Sequence, residues 1–510
     1  MNPAMNDMNR ISTIWRENFP ILMLAAMLFV VHMLCNGNYG FHRDELQVLD
    51  DARHLDWGYV AYPPLVPFLA RFELWLFGTS LAGFRFFSAL AQSIAVILAG
   101  LIAGELGGSR GTRLVAAVAA MCMPFALLAG SQFMYVSFDF LWGVLLAWLV
   151  LRLINSGNSR LWLAIGAVIG LGMLTRYTIA FFAIGLAVGV FATTLRRQLY
   201  SPWLWAGVGA SLLLFLPNLL WQIGHDFIYL DFVQHIHARD IRWGRTSGFF
   251  PNQLYINASL FTLPLWLAGL WLVMRAKDDA RHRVIACMYL VPLALFALAR
   301  GRGYYMAPAY PMLLAAGAVA WERWIEQLKP FAATSLRVAG GLLLVLAAVS
   351  SAMVALPIAP VNSRGWTISR RAHDDFAEQI GWQELAQRVA EIYRSLPEAE
   401  RAHTAILANN YGEAGAIDLY GPALGLPPAI SRTNNYWYRG YGSPAPTTVI
   451  ELGNTAQDEG ESIAKCISFG RFRNSLSVDN EESASGYEIF VCRDIPPKWP
   501  EIWGTKPRFG

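Results

Sequence analysis

The sequence predicts a polytopic α-helical membrane protein with a soluble α/β domain at its C-terminal end. The chain has 510 residues, of which 55% are hydrophobic and only 15% are charged, and its mean hydropathy is +0.37. A soluble domain carries roughly 25% charged residues, so much of this chain is suited to lipid. The acidic residues are concentrated in the tail, because positions 361–510 hold 19 of the 36 Asp and Glu residues. The predicted division is a membrane module over 1–357 and a soluble domain over 358–510.

About eleven apolar segments approach the ~20 residues that a membrane span requires. They are 18–38, 84–105, 113–131, 138–154, 161–174, 177–195, 203–222, 254–274, 284–299, 304–320 and 333–357. The first segment is expected to be a retained helix, because no small-residue cleavage site follows it. The segments 161–174 and 177–195 are separated only by a short interruption at Arg176.

Short loops rich in Lys and Arg mark the cytoplasmic side of a membrane protein. Here every second loop is basic. The basic residues of these loops are Arg10, Arg16, Arg110, Arg113, Arg152, Arg160, Arg196, Arg197, Arg275, Lys277, Arg281, Arg283, Arg323 and Lys329. The N-terminus is therefore predicted to be cytoplasmic. The loops at 39–83, 131–137, 175–177, 223–253 and 300–303 are predicted to face outward, together with the tail from about residue 358.

The tail shows a mixed pattern of helix and strand. A helical stretch is predicted at about 374–395, and strands are predicted at Thr404–Ala408, 447–452, 464–469 and 487–492. Cys466 and Cys492 fall on two of these strands. They are able to pair if the tail faces an oxidising compartment, and the sequence leaves this open.

Acidic residues stand at two outward positions. Asp44 and Glu45 begin the first outward loop, which continues with Tyr59 and Tyr62 before a Pro-Pro pair, and Asp139 stands at the outward start of a span. Ionisable groups at a membrane are costly and usually functional. Two converging carboxylates would supply a general base and an orienting partner. The alternatives are helix-capping acids or a salt bridge with Arg43 for the pair, and an N-cap for Asp139.

Basic residues on the outward side predict an anion site. Arg176 lies between two apolar segments, and Arg300 and Arg302 precede Tyr304 and Tyr305. A guanidinium binds phosphate with two parallel hydrogen bonds, and a lipid-linked phosphate lies at this depth. The alternatives are contact with anionic lipid headgroups or an internal ion pair.

Other chemistries find little support in the sequence. His225, His235 and His237 include a His-x-His spacing, which is weak without further ligands, so no metal is predicted. The chain contains no P-loop and no dinucleotide fingerprint. A net charge of +4 is too small to predict a nucleic acid partner.

Several motifs together resemble the bacterial protein mannosyltransferase-like proteins of glycosyltransferase family 39, within the C-type glycosyltransferase superfamily. The group includes proteins like the 4-amino-4-deoxy-arabinose lipid A transferases. The resemblance rests on His42-Arg43-Asp44-Glu45, Trp57-Gly58-Tyr59, Tyr62-Pro63-Pro64-Leu65, Leu174-Thr175-Arg176-Tyr177-Thr178, Gly303-Tyr304-Tyr305-Met306-Ala307-Pro308-Ala309-Tyr310-Pro311, Asn409-Asn410-Tyr411-Gly412-Glu413-Ala414-Gly415-Ala416 and Asn434-Asn435-Tyr436-Trp437. It extends from about residue 20 to beyond 440.

The resemblance implies a C-type fold and a transferase that takes one sugar from a polyprenyl-phosphate donor at the periplasmic face of the inner membrane. Asp44 would be the catalytic carboxylate, Glu45 its neighbour and Asp139 the second acid. The donor phosphate would be bound by Arg176, Arg300, Arg302, Tyr304 and Tyr305, and the substrate loop would include Arg43, Tyr59, Tyr62 and His225. Many relatives have Lys in place of Arg176 or Arg302, which leaves the phosphate geometry open. No nucleotide or metal cofactor is implied.

The implied reaction is a single displacement that inverts the anomeric centre. Asp44 would accept the proton of the acceptor hydroxyl while the arginines stabilise the departing phosphate. Lipid A, another glycolipid or a polysaccharide is favoured as acceptor over protein, and membrane lipids are further partners. A transporter or flippase of lipid-linked sugars and a non-catalytic assembly protein remain the alternatives. A transporter is expected to show internal repeats and helices broken at the midplane, whereas the sequence shows no convincing repeat and its charged residues collect at the outer face.

Overall fold

A computed structural model describes residues 3–275, 279–454, 465–480, 486–495 and 498–510. The chain divides into two compact units. The first unit comprises Met1–Asn36, Arg85–Trp221 and His237–Leu356, and the second comprises Gly37–Phe84, Gln222–Ile236 and Pro357–Gly510. The second unit thus contains, besides the tail, the chain between the first two long helices and a short segment from the middle of the sequence.

The described part of the first unit is helical. Its helices are Pro3–Cys35, Phe86–Glu105, Arg110–Met121, Pro124–Gly130, Tyr135–Ser156, Leu161–Met173, Ile179–Ala192, Phe249–Tyr255, Leu263–Arg275, Ala280–Leu298, Tyr310–Ile325 and Pro330–Ala355. Two more helices, Pro202–Gly224 and Ile228–Arg242, each pass from one unit into the other. Small residues allow close helix packing in a membrane protein. Gly317 illustrates this, because a Cβ atom there would lie 1.8 Å from the Leu265 carbonyl oxygen.

Six of the described helices are long and apolar enough to cross a membrane, and the number rises to nine if each of three bent pairs counts as one span. The chain is therefore a multi-pass membrane protein, but the predicted number of eleven spans is not confirmed. Three predicted spans are bent pairs, and two more contain helices of only 13 and 16 residues, Leu161–Met173 and Tyr310–Ile325. Arg110–Met121 and Pro124–Gly130 meet at a bend of 66°, where proline restricts the residue before it. The predicted span 304–320 begins instead with a 3₁₀ segment, Gly303–Ala309.

The second unit combines helices with a sheet. Its helices are Arg43–Arg53, Leu65–Phe77, Leu81–Phe84, Arg364–Ala372, Trp382–Ser395, Glu398–Arg401, Tyr411–Tyr420, Tyr436–Arg439 and Trp499–Trp503. The strands are β1 (Thr404–Ala408), β2 (Ala429–Ser431), β3 (Thr448–Asn454), β4 (Lys465–Arg471) and β5 (Glu488–Arg493). The described strands form a sheet of order β2-β1-β3-β5-β4. β1 is parallel to β2 and β3, whereas β5 is antiparallel to β3 and β4.

The strand predictions for the tail are confirmed at four positions. β1 has the predicted bounds, and β3, β4 and β5 overlap the predicted ranges, although Ala464 lies outside the described residues. β2 was not predicted, because three residues are too few for an alternating pattern to be recognised. Cys466 lies opposite Cys492 in the register of β4 and β5, and the two form a disulfide, which the sequence had left open.

Candidate functional site

The predicted catalytic pair opens the helix Arg43–Arg53 in the second unit. The Glu45 carboxylate accepts a hydrogen bond from the His42 backbone N–H at 2.8 Å, and the His42 side chain accepts one from the Asp44 backbone N–H at 3.1 Å. This is a reciprocal helix cap, with Glu45 fully buried. Local sequence explains the arrangement, since the acidic residue stands three positions after the capping residue. The cap occupies the Glu45 carboxylate and fixes the backbone from which Asp44 projects.

Asp44 is the one residue of the range 41–52 that is not buried. The Tyr411 hydroxyl donates a hydrogen bond to Asp44 Oδ1 at 2.8 Å. The guanidinium of Arg43 lies over the Tyr411 ring, 4.8 Å from its centroid, a favourable cation–π distance. Asp44 therefore combines a fixed carboxylate oxygen with access from outside the protein. A general base needs both properties.

A polar face of the same helix reaches three residues of the tail. Asp44, Gln47 and Asp51 follow each other at spacings of three and four residues, so they share one face. Asp44 accepts from Tyr411, Gln47 Oε1 accepts from Asn434 Nδ2 at 3.2 Å, and Asp51 Oδ1 accepts from Asn435 Nδ2 at 3.0 Å. Sequence reasoning identified Asp44 alone, although the i, i+3, i+7 spacing of polar residues was a signal for the other two.

Asp51 organises the predicted substrate loop. The Tyr62 hydroxyl donates to Asp51 Oδ2 at 2.6 Å, and the Tyr59 hydroxyl donates to the Asp51 carbonyl oxygen at 3.3 Å. Burial, followed by the nearby Asp51 carboxylate, raises the pKa of the Tyr62 hydroxyl well above its ordinary value, so this hydroxyl remains a donor. Tyr59 and Tyr62 are both buried. The structure thus places these two tyrosines inside the loop's own hydrogen-bond network.

Arg439, a residue of the tail, adds a cation to this hydrogen-bond network. It forms ion pairs with Asp50 and with Asp51, the latter at 3.1 Å between Nη2 and Oδ1. Asp50 and Asp51 are only 3% and 1% exposed, whereas Arg439 is 23% exposed. Buried carboxylates are costly without a cation. The sequence did not predict these three residues as a group.

Replacing Arg439 with Met is expected to lower the free energy of unfolding by about 3 kcal/mol, because two buried carboxylates lose their cation. Thermal and denaturant unfolding in detergent measure the loss. Arg388→Met is the matched control, since Arg388 pairs with Glu391 at 3.0 Å and both side chains are exposed. Exposed pairs contribute about 0–1 kcal/mol. Equal losses for the two variants would contradict a stabilising role for the Arg439 network.

The first unit brings together four of the predicted site residues. The Arg176 guanidinium lies over the rings of Tyr135, Tyr304 and Tyr305, at 4.6, 5.5 and 4.4 Å from their centroids. It also hydrogen-bonds to Tyr304 and interacts electrostatically with Asp139. We call Arg176 and these three tyrosines the arginine cage. No carboxylate of the described residues forms a salt bridge with Arg176 within 4.0 Å.

Asp139 lies beside the arginine cage in the first turns of the helix Tyr135–Ser156 and is only 4% exposed. Its Oδ2 accepts a hydrogen bond from the Thr178 hydroxyl at 2.9 Å. Its Oδ1 is buried and accepts no hydrogen bond from the described residues. Asp139 is the predicted second acid, and its role in the reaction stays a prediction. An unpartnered buried carboxylate oxygen is costly and calls for a functional explanation.

The other predicted phosphate ligands differ from Arg176. Arg302 Nε and Nη2 donate hydrogen bonds to the two carboxylate oxygens of Asp240 at 2.6 and 2.7 Å. The Arg302 guanidinium therefore already binds an anion. Arg300 is exposed and has a positive φ of 48°. An internal ion pair was one of the alternatives for these arginines, and Arg302 forms it. Arg176 is therefore the best anion ligand of the three.

His225, a predicted residue of the substrate loop, lies in the second unit. The His225 ring packs edge-on against Tyr438 at 5.4 Å. Within the described ranges, no three His, Cys, Asp or Glu side chains are grouped as a metal ion requires, and the predicted absence of a metal stays a prediction. The convergence of Asp44 with Asp139 also stays a prediction, since the two residues belong to different units.

Comparison with known proteins confirms the resemblance predicted from the sequence. The family model of the dolichyl-phosphate-mannose-protein mannosyltransferases matches residues 61–221. An undecaprenyl phosphate-alpha-4-amino-4-deoxy-L-arabinose arabinosyl transferase of Pseudomonas fluorescens is 29% identical over 274 residues, which are 49% of this chain and 46% of the relative. The lipid A galacturonosyltransferase RgtD of Rhizobium johnstonii is 24% identical over 54% of this chain and 59% of its own. The match spans about half the length of these relatives.

A solved structure shares the fold. The crystal structure of ArnT from Cupriavidus metallidurans bound to undecaprenyl phosphate superposes with a TM-score of 0.59 and covers 94% of this chain and 99% of that chain, at 15% identity. An oligosaccharyltransferase of Archaeoglobus fulgidus, solved in complex with Zn and sulfate, reaches a TM-score of 0.51 at 13% identity. Both likenesses support the predicted polytopic α-helical membrane fold.

Proposed function

We propose that this chain, similar over residues 61–221 to the protein mannosyltransferases, is a membrane glycosyltransferase that transfers one sugar from a polyprenyl-phosphate donor. One observation carries the proposal: the guanidinium of the arginine cage lies over three tyrosine rings and forms no salt bridge within 4.0 Å with a carboxylate of the described residues, although Asp139 interacts with it electrostatically. A guanidinium in this setting binds phosphate well. The relatives are named as transferases that use undecaprenyl phosphate-linked sugars or modify lipid A, which supports this donor and acceptor class.

The proposed reaction uses Asp44 as the base and Arg176 to stabilise the leaving group. In the second unit, Asp44 accepts the proton of the acceptor hydroxyl as its oxygen attacks the anomeric carbon of the donor sugar. The bond from that carbon to the phosphate oxygen breaks, and polyprenyl phosphate leaves. In the first unit, Arg176 stabilises the negative charge that grows on the leaving phosphate. A single displacement of this kind inverts the anomeric centre.

The proposed location is the periplasmic face of a bacterial inner membrane, with the N-terminus in the cytoplasm. The alternation of basic loops supports this orientation. The disulfide between Cys466 and Cys492 supports an oxidising compartment for the tail. The proposed acceptor is lipid A or another glycolipid or polysaccharide, in keeping with the name of one relative as a lipid A transferase.

The test is sugar transfer by the purified protein in lipid vesicles, using polyprenyl-phosphate donors labelled in the sugar. Lipid A, a glycolipid fraction and a Ser/Thr peptide serve as separate acceptors, and protein-free vesicles serve as the control. A transferase yields labelled acceptor and an equal amount of free polyprenyl phosphate. A flippase instead moves intact labelled donor between leaflets and releases no polyprenyl phosphate. A folded protein that yields no labelled acceptor from any donor would overturn the proposal.

A further inference from the structure

The tail motif at residues 409–416 lies directly against the helix that carries Asp44. The helix Tyr411–Tyr420 packs on Arg43–Arg53 through two glycines of the motif. A Cβ atom on Gly412 would lie 3.0 Å from Arg43 Cβ, and one on Gly415 would lie 2.8 Å from Leu46 backbone and side-chain atoms. Both contacts are within the second unit. Larger side chains at these positions would force the helices apart, so the glycines set the distance at which Tyr411 reaches Asp44.

The start of the helix Tyr411–Tyr420 is held in place by its own cap. The Asn410 side chain accepts a hydrogen bond from the Glu413 backbone N–H at 2.9 Å. Glu413 Oε2 in turn accepts from the Asn409 backbone N–H at 3.0 Å. Tyr411, the first residue of the helix, is 8% exposed, and its ring is covered by Arg43 on one side. Its hydroxyl therefore has little freedom to leave Asp44.

We propose that Tyr411 is a positioning residue for sugar transfer: its hydroxyl holds Oδ1 of Asp44 so that Oδ2 faces the acceptor hydroxyl. Among the described residues, only Tyr411 donates a hydrogen bond to the Asp44 carboxylate, which leaves Oδ2 available to accept a proton. This inference rests on the proposed function, in which Asp44 is the base. In this proposal the tail motif assists the reaction by positioning Asp44 and does not itself contact the substrate.

The variant Tyr411→Phe tests this role, because it keeps the ring and its contact with Arg43 and removes only the hydroxyl. We expect kcat for sugar transfer to fall about 10-fold to 100-fold, the range expected for one lost hydrogen bond to a charged group. KM for the donor is expected to stay unchanged, since Tyr411 does not contact the donor in this proposal. The control is Tyr393→Phe, whose hydroxyl donates to the Arg401 carbonyl oxygen at 3.1 Å in the same unit.

A double-mutant cycle separates positioning from a general effect on folding. If Tyr411 acts through Asp44, adding Tyr411→Phe to Asp44→Asn leaves the residual rate of the single Asn variant unchanged. A further fall in the double variant would overturn the proposal. So would a Tyr411→Phe variant with the wild-type kcat, or one whose kcat and unfolding temperature fall together beyond those of Tyr393→Phe.

The cycle also distinguishes this inference from the function on which it rests. A wild-type protein that transfers no sugar from any donor contradicts the proposed function itself. A wild-type protein that transfers sugar and a Tyr411→Phe variant that does so equally well contradict only the role of Tyr411.

Discussion

Replacing Asp44 with Asn is expected to lower the rate of sugar transfer by about 10²-fold to 10⁴-fold, the usual contribution of a general base. The amide keeps the shape of the side chain and still accepts the Tyr411 hydroxyl, but it no longer accepts the proton of the acceptor. The loss is expected in kcat, whereas the dissociation constant of the donor is expected to stay near that of the wild type. Single-turnover transfer and donor binding in vesicles measure the two quantities separately.

The control for Asp44→Asn is Asp56→Asn in the same stretch of chain. Asp56 is exposed, and its Oδ1 accepts a hydrogen bond from the Trp57 backbone N–H at 2.7 Å. It is an acid of the first outward loop without a place in the proposed reaction, so its loss is expected to leave transfer unchanged. Equal rates for Asp44→Asn and the wild type would remove Asp44 from the mechanism. Donor binding that persists while transfer is lost would favour an enzyme over a flippase.

The residues that sequence reasoning found share a local signal. Asp44 and Asp139 are acids at the ends of apolar segments, and Arg176 interrupts one, so each is conspicuous against its neighbours along the chain. Capping of the helix Arg43–Arg53 by His42 and Glu45 depends on a spacing of three residues, and it was among the alternatives considered. Short-range chemistry of this kind is visible without a structure.

The residues that sequence reasoning missed depend on partners far along the chain. Tyr411 is separated from Asp44 by 367 residues, and Arg439 from Asp51 by 388. A single sequence offers no rule for pairing such positions. The sequence analysis therefore gave Asp50 and Asp51 no role, although both are buried beside Arg439.

The number of membrane spans was also not predictable from the sequence. Apolar length predicts that a segment suits the membrane, but it does not tell a straight helix from a bent one. Three pairs of helices are bent by 66°, 101° and 80°, and a proline begins the second helix in only one of these pairs, at Pro124. The class of the fold was therefore predictable from composition, whereas the number of spans was not.

Replacing Arg176 with Gln is expected to weaken binding of the sugar donor and to lower kcat by about 10²-fold to 10³-fold. Losing one hydrogen-bond donor to a developing anion typically has an effect of this size. The reason is geometric. The guanidinium lies over three tyrosine rings and, among the described residues, forms no carboxylate salt bridge within 4.0 Å, so its N–H groups are available for the phosphate of the sugar donor. Arg176→Lys is expected to be intermediate, because an ammonium keeps the charge but lacks the planar fork that matches two phosphate oxygens.

The matched control for Arg176 is Arg160→Gln in the same unit. Arg160 also lies over an aromatic ring, 5.5 Å from the centroid of Trp203, but it is exposed and belongs to a loop predicted to be cytoplasmic. Its replacement removes a cation–π contact of the same kind without touching the cage. Transfer rates, donor dissociation constants and unfolding temperatures are compared for the three variants and the wild type. Loss of folding in Arg176→Gln with normal donor binding in Arg176→Lys would show that the cage stabilises the membrane unit and does not bind the phosphate.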